Sequence, residues 1–159
     1  MSPTLEGSVI QLVVFVIDGQ RYALPLSSVE RVLPMVAVSP LPKPPTSVLG
    51  VINVHGQVIP VLDIRWRFGF SPHDYGPDAY LLMARTIRRT VALPVDGVLG
   101  VKEVQSEAVT PPDTIFPGID HVAGIVTLSD GLLFIHDLNA FLSLDEEQQV
   151  TKVLEEMAR

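Results

Sequence analysis

The chain contains no cysteine. Disulfides, a thiol nucleophile and Cys-ligated metals are therefore excluded, which suits a reducing compartment. Positive charge is not in surplus either. Eleven Lys and Arg against 18 Asp and Glu give a net charge of −7, whereas nucleic-acid surfaces need clustered cations. Arg85, Arg88 and Arg89 do cluster, but around an expected hairpin tip, and they read as a solvated turn. Long apolar runs are missing too. Leu12 to Ile17 is far short of the ~20 residues of a membrane span. Met1 to Ser8 lacks the basic segment of a signal peptide. A cytoplasmic protein without membrane insertion is the expectation.

Reactive constellations are also scarce. No Gly-rich phosphate loop and no Gly-x-Ser-x-Gly elbow occurs. His55, His73, His121 and His136 show no metal-ligand spacing. His136 lies among Leu132, Leu133, Phe134 and Ile135 and reads as a hydrogen-bonded core residue. Asp18 and Asp96 each precede Gly, which is turn chemistry. Asp63 and Asp137 recur at strand-to-helix junctions and read as caps. Glu146/Glu147 and Glu155/Glu156 read as an exposed helix face. No catalytic residue, metal site or cofactor is expected, so a binding module is the simplest class.

What is present is a folded composition, 47% hydrophobic and 18% charged, with an internal repeat. Val48 to Ile64 is echoed by Val122 to Leu138: Gly50 corresponds to Gly124, Ile59 to Leu133 and Asp63 to Asp137, all at one constant separation. Tyr22-Ala-Leu-Pro-Leu-Ser-Ser-Val29 is echoed by Val91-Ala-Leu-Pro-Val-Asp-Gly-Val98, at a slightly smaller separation. The difference between the separations is absorbed by the extra loop Pro111 to Gly118. Two echoes in the same order mean two related units, not a solenoid. In a chain of 159 residues, units this small need to pack together to complete a core.

Asp18-Gly19 and His55-Gly56 predict hairpins joining Gln11–Ile17 to Arg21–Leu24 and Val48–Val54 to Gln57–Leu62. Ser27-Ser-Val-Glu30 predicts a capping box and one helical turn, with a strand resuming over Val32–Val38. Four prolines in Ser39–Thr46 predict an extended connection, and Asp63 caps a short helix over Ile64–Phe68. Gly69–Pro77 reads as the loop between halves. Further strands are expected at Ala79–Ala84, Thr90–Pro94, Val98–Val104, His121–Thr127 and Leu132–His136. Ser143-Leu-Asp-Glu146 opens a C-terminal helix whose Val150, Val153, Leu154 and Met157 form one apolar face. Many short strands and few helices mean a mainly β fold, barrel or sandwich.

Gly50-Val-Ile-Asn-Val-His-Gly-Gln-Val-Ile-Pro-Val-Leu-Asp-Ile-Arg65 closely resembles the signature of the CheW family, the coupling proteins of bacterial chemosensory arrays. The likeness extends from Phe15–Tyr22 through Val91–Val98 to Gly124-Ile and Phe134–Leu138. It implies one CheW-like domain over residues 1–159: two small five-stranded β-barrels around a shared core, with short helices and a C-terminal helix. The linear lobes are 9–70 and 78–143, with 144–159 as the helix. It implies a non-enzymatic adaptor in the cytoplasm at receptor arrays. The partners it implies are the regulatory domain of a CheA-type histidine kinase, the cytoplasmic tips of chemoreceptors and other CheW-like proteins. Barrel ends meet the kinase, and a groove near the lobe junction meets receptor helices.

The partner-binding residues carried over from the family are Val29, Arg31, Val32, Asn53, His55 and Gly56. Two depart from its pattern. The hairpin usually reads Asn-x-Arg-Gly, where this chain has His55, and the position after Val29-Glu30 is usually Glu, where it has Arg31. If those family residues attract each other across the groove, Arg31 faces His55 here. The departures point to a divergent array or altered receptor tips, or are rim exchanges of little cost. An adaptor of a non-motility pathway is the second reading. A small-molecule sensor or enzyme using the inter-lobe cleft is the third, and needs a pocket with convergent polar groups.

Overall fold

The structure is a computed structural model that describes residues 8–41, 47–67, 75–111, 122–140 and 144–157. Asp18 and Gly19, at φ 53° and 76°, close the first hairpin between β1 (Val9–Ile17) and β2 (Gln20–Pro25). Both turn residues are left-handed, the geometry that matches strand twist. A 3-10 turn over Leu26–Ser28 leads into β3 (Val29–Pro34). Then come β4 (Val48–Val54), β5 (Gln57–Leu62), α1 (Ile64–Arg67), β6 (Tyr80–Arg85), β7 (Thr90–Val95) and β8 (Gly97–Gln105). A second 3-10 turn precedes β9 (Val109–Thr110), a two-residue strand that the sequence reading missed. β10 (Val122–Leu128), β11 (Gly131–His136), a 3-10 turn over Leu138–Ala140 and α2 (Leu144–Met157) complete the chain.

The strands form two sheets, ordered β8-β1-β2-β11-β10-β9 and β3-β6-β7-β5-β4. Below they are the first and second sheet. Neither follows the linear lobes 9–70 and 78–143. Each takes one hairpin from one repeat and the remaining strands from the other. The joints are equivalent: β2 meets β11 in parallel with Ala23 opposite Ile135, and β7 meets β5 in parallel with Ala92 opposite Val61. The two echoes relate these same residues, Ala23 to Ala92 and Val61 to Ile135. The two units have exchanged hairpins.

The two sheets are not closed barrels. Among the described residues no ladder joins β8 to β9 or β3 to β4. β3 stops at Pro34, which has no N–H to donate. The chain then reaches β4 only through the Ser39–Val51 bridge. That bridge is tight because Gly50 lets it be: a Cβ there would lie 2.2 Å from the Ser39 carbonyl oxygen. Gly124 plays the same part in the other unit, where a Cβ would meet the Val109 side chain at 2.5 Å. Both glycines sit at register shifts of their hairpins.

Alternation along the strands separates three cores. Val13, Phe15 and Ile17 of β1 face Leu82, Val91, Leu93 and Val95 in a core shared between the sheets. Leu12 and Val14 turn the other way, onto Val126, Leu133 and Ile135 inside the first sheet. Leu81 and Met83 do the same with Ile52, Ile59 and Val61 inside the second. A shared core with one small core per sheet matches what the family resemblance implied.

α2 packs on the shared core. Val150 is buried within it, and Val153 and Leu154 lie against it. Two expectations are corrected here. Arg89 is not a solvated turn residue, and Glu147 is not on an exposed face. The Arg89 Nε donates to Glu147 Oε1 at 2.5 Å, both side chains being largely buried, and its Nη2 donates to the Thr151 hydroxyl. Ser47 donates its hydroxyl to Glu146. Ser143 of the expected capping box, Phe68 of the expected first helix and most of the two expected loops lie outside the described residues.

Arg65 joins the sheets. Its Nη1 donates to Asp18 at 2.7 Å and its Nη2 to Asp96 at 2.9 Å. Burial works against its charge, but the hydrogen bond with Asp18 and the fields of Tyr75, Asp96 and Asp18 outweigh it, and its pKa is raised. Asp18 and Asp96 thus do more than turn the chain. Asp137 accepts from the Ala140 N–H at the 3-10 turn after β11, as a cap does. His136 is buried in β11, opposite Val122.

Candidate functional site

The six residues carried over for partner binding fall on opposite edges of the second sheet, where β3 and β4 are its outer strands. Val29, Arg31 and Val32 belong to β3. Asn53 is an exposed residue near the end of β4, and His55-Gly56 form the turn into β5. The edges are brought round the same small core: Leu33 from β3 and Val54 from β4 both pack against it. They form two rims of one curved sheet.

The rims are not uniform. Val29 pairs with Ala84 and lies half-buried against the shared core. A register shift follows, so that Arg31 pairs with Met83 and Val32 with Leu82. Cross-strand partners share a face. Val32 therefore projects on the shared-core side with Leu82, and Arg31 on the opposite side with Met83. Val32 is 39% exposed, too much for a core residue. No hydrogen bond or ion pair joins Arg31 to His55 among the described residues.

Glu30 is the extra residue of the shift, and it does not cap a helix. The preceding 3-10 turn starts after Pro25, which has no polar side chain to cap it, and the Glu30 carboxylate accepts the Thr90 hydroxyl at 2.8 Å. This bond pins the bulge to β7.

At the other rim, His55 and Gly56 are both left-handed, at φ 52° and 84°. Asn53 fixes the turn by accepting the Gly56 N–H on its Oδ1 at 2.9 Å. Opposite Asn53 stands Val58, exposed and apolar, which the sequence reading missed. Its signal was the apolar residue just after the turn, at a position where alternation with Ile59 puts it outside the small core. Alternation puts Val32 on one rim, and Asn53 with its partner Val58 on the other, on the same side of the sheet: an exposed apolar residue at each rim, with an amide beside one of them. Such a surface suits burial of an apolar partner face oriented by a few hydrogen bonds.

The first sheet repeats the arrangement. Val101, equivalent to Val32, is 56% exposed on β8, and Leu132, equivalent to Val58, is exposed on β11. Beside them a pocket of about 240 Å³ is lined by Val14, Leu99, Val101, Leu128 and Leu133 with Arg21 and Lys102. It opens on the rim of one sheet, not in a cleft between two. It is also smaller than the roughly 300 Å³ at which small-molecule sites begin. Among the described residues the arrangement offers exposed apolar surfaces on both sheets.

Comparison with known proteins agrees with this geometry. The family model described as the CheW-like domain matches residues 11–146. The probable chemotaxis protein CheW of Rhizobium etli is 27% identical over 140 residues, covering 87% of this chain and 90% of its own. The protein FrzA of Myxococcus xanthus is 28% identical over 126 residues, 79% of each chain. Among solved structures, the scaffolding protein TtCheW of Thermoanaerobacter tengcongensis superposes with a TM-score of 0.78 at 25% identity, over 86% of this chain and 94% of its own.

Proposed function

This chain belongs to the CheW family of chemotaxis scaffold proteins, and from that premise we propose that it is a non-enzymatic adaptor coupling the cytoplasmic tips of chemoreceptors to a CheA-type histidine kinase. The observation that carries the reading is the pair of exposed apolar rims, one per sheet. An adaptor needs two surfaces and no reactive centre. On the second sheet, Val32, Asn53 and Val58 offer the apolar face and orienting amide that a receptor helix requires. The rim of the first sheet, around Leu99 and Val101, is left for the regulatory domain of the kinase or for another CheW-like protein. The setting is cytoplasmic, beneath membrane receptors. No helix among the described residues is long and apolar enough to cross a membrane.

Co-purification with a CheA regulatory domain and with a receptor-tip fragment, followed by a receptor-dependent kinase assay, tests the coupling. Binding to both and stimulation of the kinase are expected. Binding to neither sinks the reading.

Arg31 and His55 favour a second, narrower reading: an adaptor of a divergent, non-motility pathway whose receptor tips differ. The double variant Arg31→Glu/His55→Arg then gains affinity for a standard receptor tip over the wild type. Equal, tight binding by both proteins removes the idea and leaves the two residues as neutral rim exchanges.

A further inference from the structure

We propose that α2 positions the receptor-facing strand β3, through the sequence-adjacent pair Arg89 and Thr90. The proposal rests on the adaptor reading and assigns a role to a segment that the family match, ending at residue 146, leaves out. Glu147, Val150, Thr151, Val153 and Leu154, which make the contacts that matter here, all lie beyond that boundary.

Arg89 immediately precedes β7 and Thr90 opens it, and successive extended residues send their side chains to opposite faces. On the shared-core side, Arg89 is held by Glu147 and Thr151 of α2. On the other side, the Thr90 hydroxyl donates to Glu30, the extra residue of the β3 bulge. The helix and the bulge therefore grip one dipeptide from its two faces. Val29 at the head of β3 and Val153 and Leu154 of α2 also pack against the one shared core.

β3 is an outer strand with one ladder partner, β6. A bulge at its head leaves it with little else to fix its course. With α2 docked, the start of β7 is rigid and Glu30 has a fixed anchor, so Val32 is presented in one orientation. With α2 released, Arg89 loses a largely buried partner and the start of β7 loosens. The rim of the first sheet takes no part in this chain of contacts.

The test is hydrogen exchange at β3 together with titration of two partners. Glu147→Ala is expected to speed exchange of the Glu30–Leu33 amides. It is also expected to weaken a receptor-tip fragment about three- to tenfold, while a kinase regulatory domain binds as before. Glu147→Gln, which keeps an acceptor for Arg89, stays close to wild type. Thr90→Val cuts only the bond to Glu30 and reproduces the β3 effect with α2 still docked, so the proposal is tested even if Glu147→Ala fails to fold. Unchanged exchange at β3 overturns the proposal, as does equal weakening of both partners. A wild type that does not bind the receptor fragment instead overturns the adaptor reading, and the exchange data alone then decide the role of α2.

Discussion

Arg65 and Asn139 occupy equivalent positions in the two repeats, and each grips the tip of a hairpin in the sheet to which its own preceding strand does not belong. Arg65 follows β5 of the second sheet and holds Asp18 at the β1–β2 tip of the first. Asn139 follows β11 of the first sheet and accepts the Ile87 N–H at the β6–β7 tip of the second, at 2.8 Å. Asp18 and Ile87 are themselves equivalent, with the same separation as Ala23 and Ala92 in the hairpin echo. The two clasps hold the exchanged hairpins in place.

Their strengths should differ. Arg65 is 4% exposed and Asp18 is 43% exposed, an ion pair between the surface and buried limits. Arg65→Ala is expected to cost about 2–3 kcal/mol, and Asn139→Ala, which removes one neutral hydrogen bond, about 1 kcal/mol. Urea unfolding of the two variants measures both. Equal losses contradict the assignment of Arg65 as the stronger clasp.

The paired glycines should also respond unequally. At Gly50 a methyl group meets backbone, with the chain at φ 157°, while at Gly124 it meets a movable side-chain atom. Gly50→Ala is expected to cost about 3 kcal/mol and Gly124→Ala about 1 kcal/mol, spanning the range for forced overpacking. Thermal melts of the two variants, run side by side, check the order.

Alkaline pH should destabilise the protein through Tyr22. Burial, assisted by the negative field of Asp18, pushes its phenol up to about 12. Below pH 10 the group is protonated whether folded or unfolded, and its contribution is complete. As pH rises towards 12 the unfolded chain ionises first, so stability falls, by roughly 1.4 kcal/mol for each unit between the two pKa values. Tyr75 is raised by burial as well and acts in the same direction. Urea midpoints from pH 9 to 12 should fall less steeply in Tyr22→Phe than in the wild type.

The exposed rims should separate binding from stability. Val32→Asp and Val101→Asp change exposed positions on opposite sheets, so each should shift stability by no more than about 0.5 kcal/mol. Val32→Asp should weaken a receptor-tip fragment about tenfold or more, as loss of an interface anchor does. Val101→Asp should leave that fragment unaffected and weaken the kinase domain. Calorimetric titration of each variant against both partners tests the division, and loss of the same partner by both variants rules it out.

Much of the site was legible because it rests on local chemistry. The His55-Gly56 turn and the apolar alternation of β4 and β5 follow from residues within a few positions of one another, and the paired glycines follow from the repeat. The direction of Arg31 was not legible. Its place beside Met83, away from Val32, depends on the register shift at Glu30, a residue whose carboxylate is held by Thr90, far along the chain. Ser27 to Glu30 satisfied a capping pattern, but Ser27 lies inside the 3-10 turn, whose N-cap position is Pro25, and the Glu30 carboxylate accepts a distant hydroxyl.

The sequence by itself determined most of the strands, two of the left-handed turns, the repeat and the family, because periodicity, turn chemistry and motif spacing are written within short stretches of chain. It missed β9 and placed β3 too late. Tertiary structure decided which sheet each hairpin joins, that Arg89 and Glu147 are buried together, and that α2 lies on the shared core. Parallel pairing of β2 with β11 and of β5 with β7 needs long crossover connections, and no local pattern names the distant partner. A buried ion pair likewise looks, in sequence, like two surface charges, and only packing brings them together.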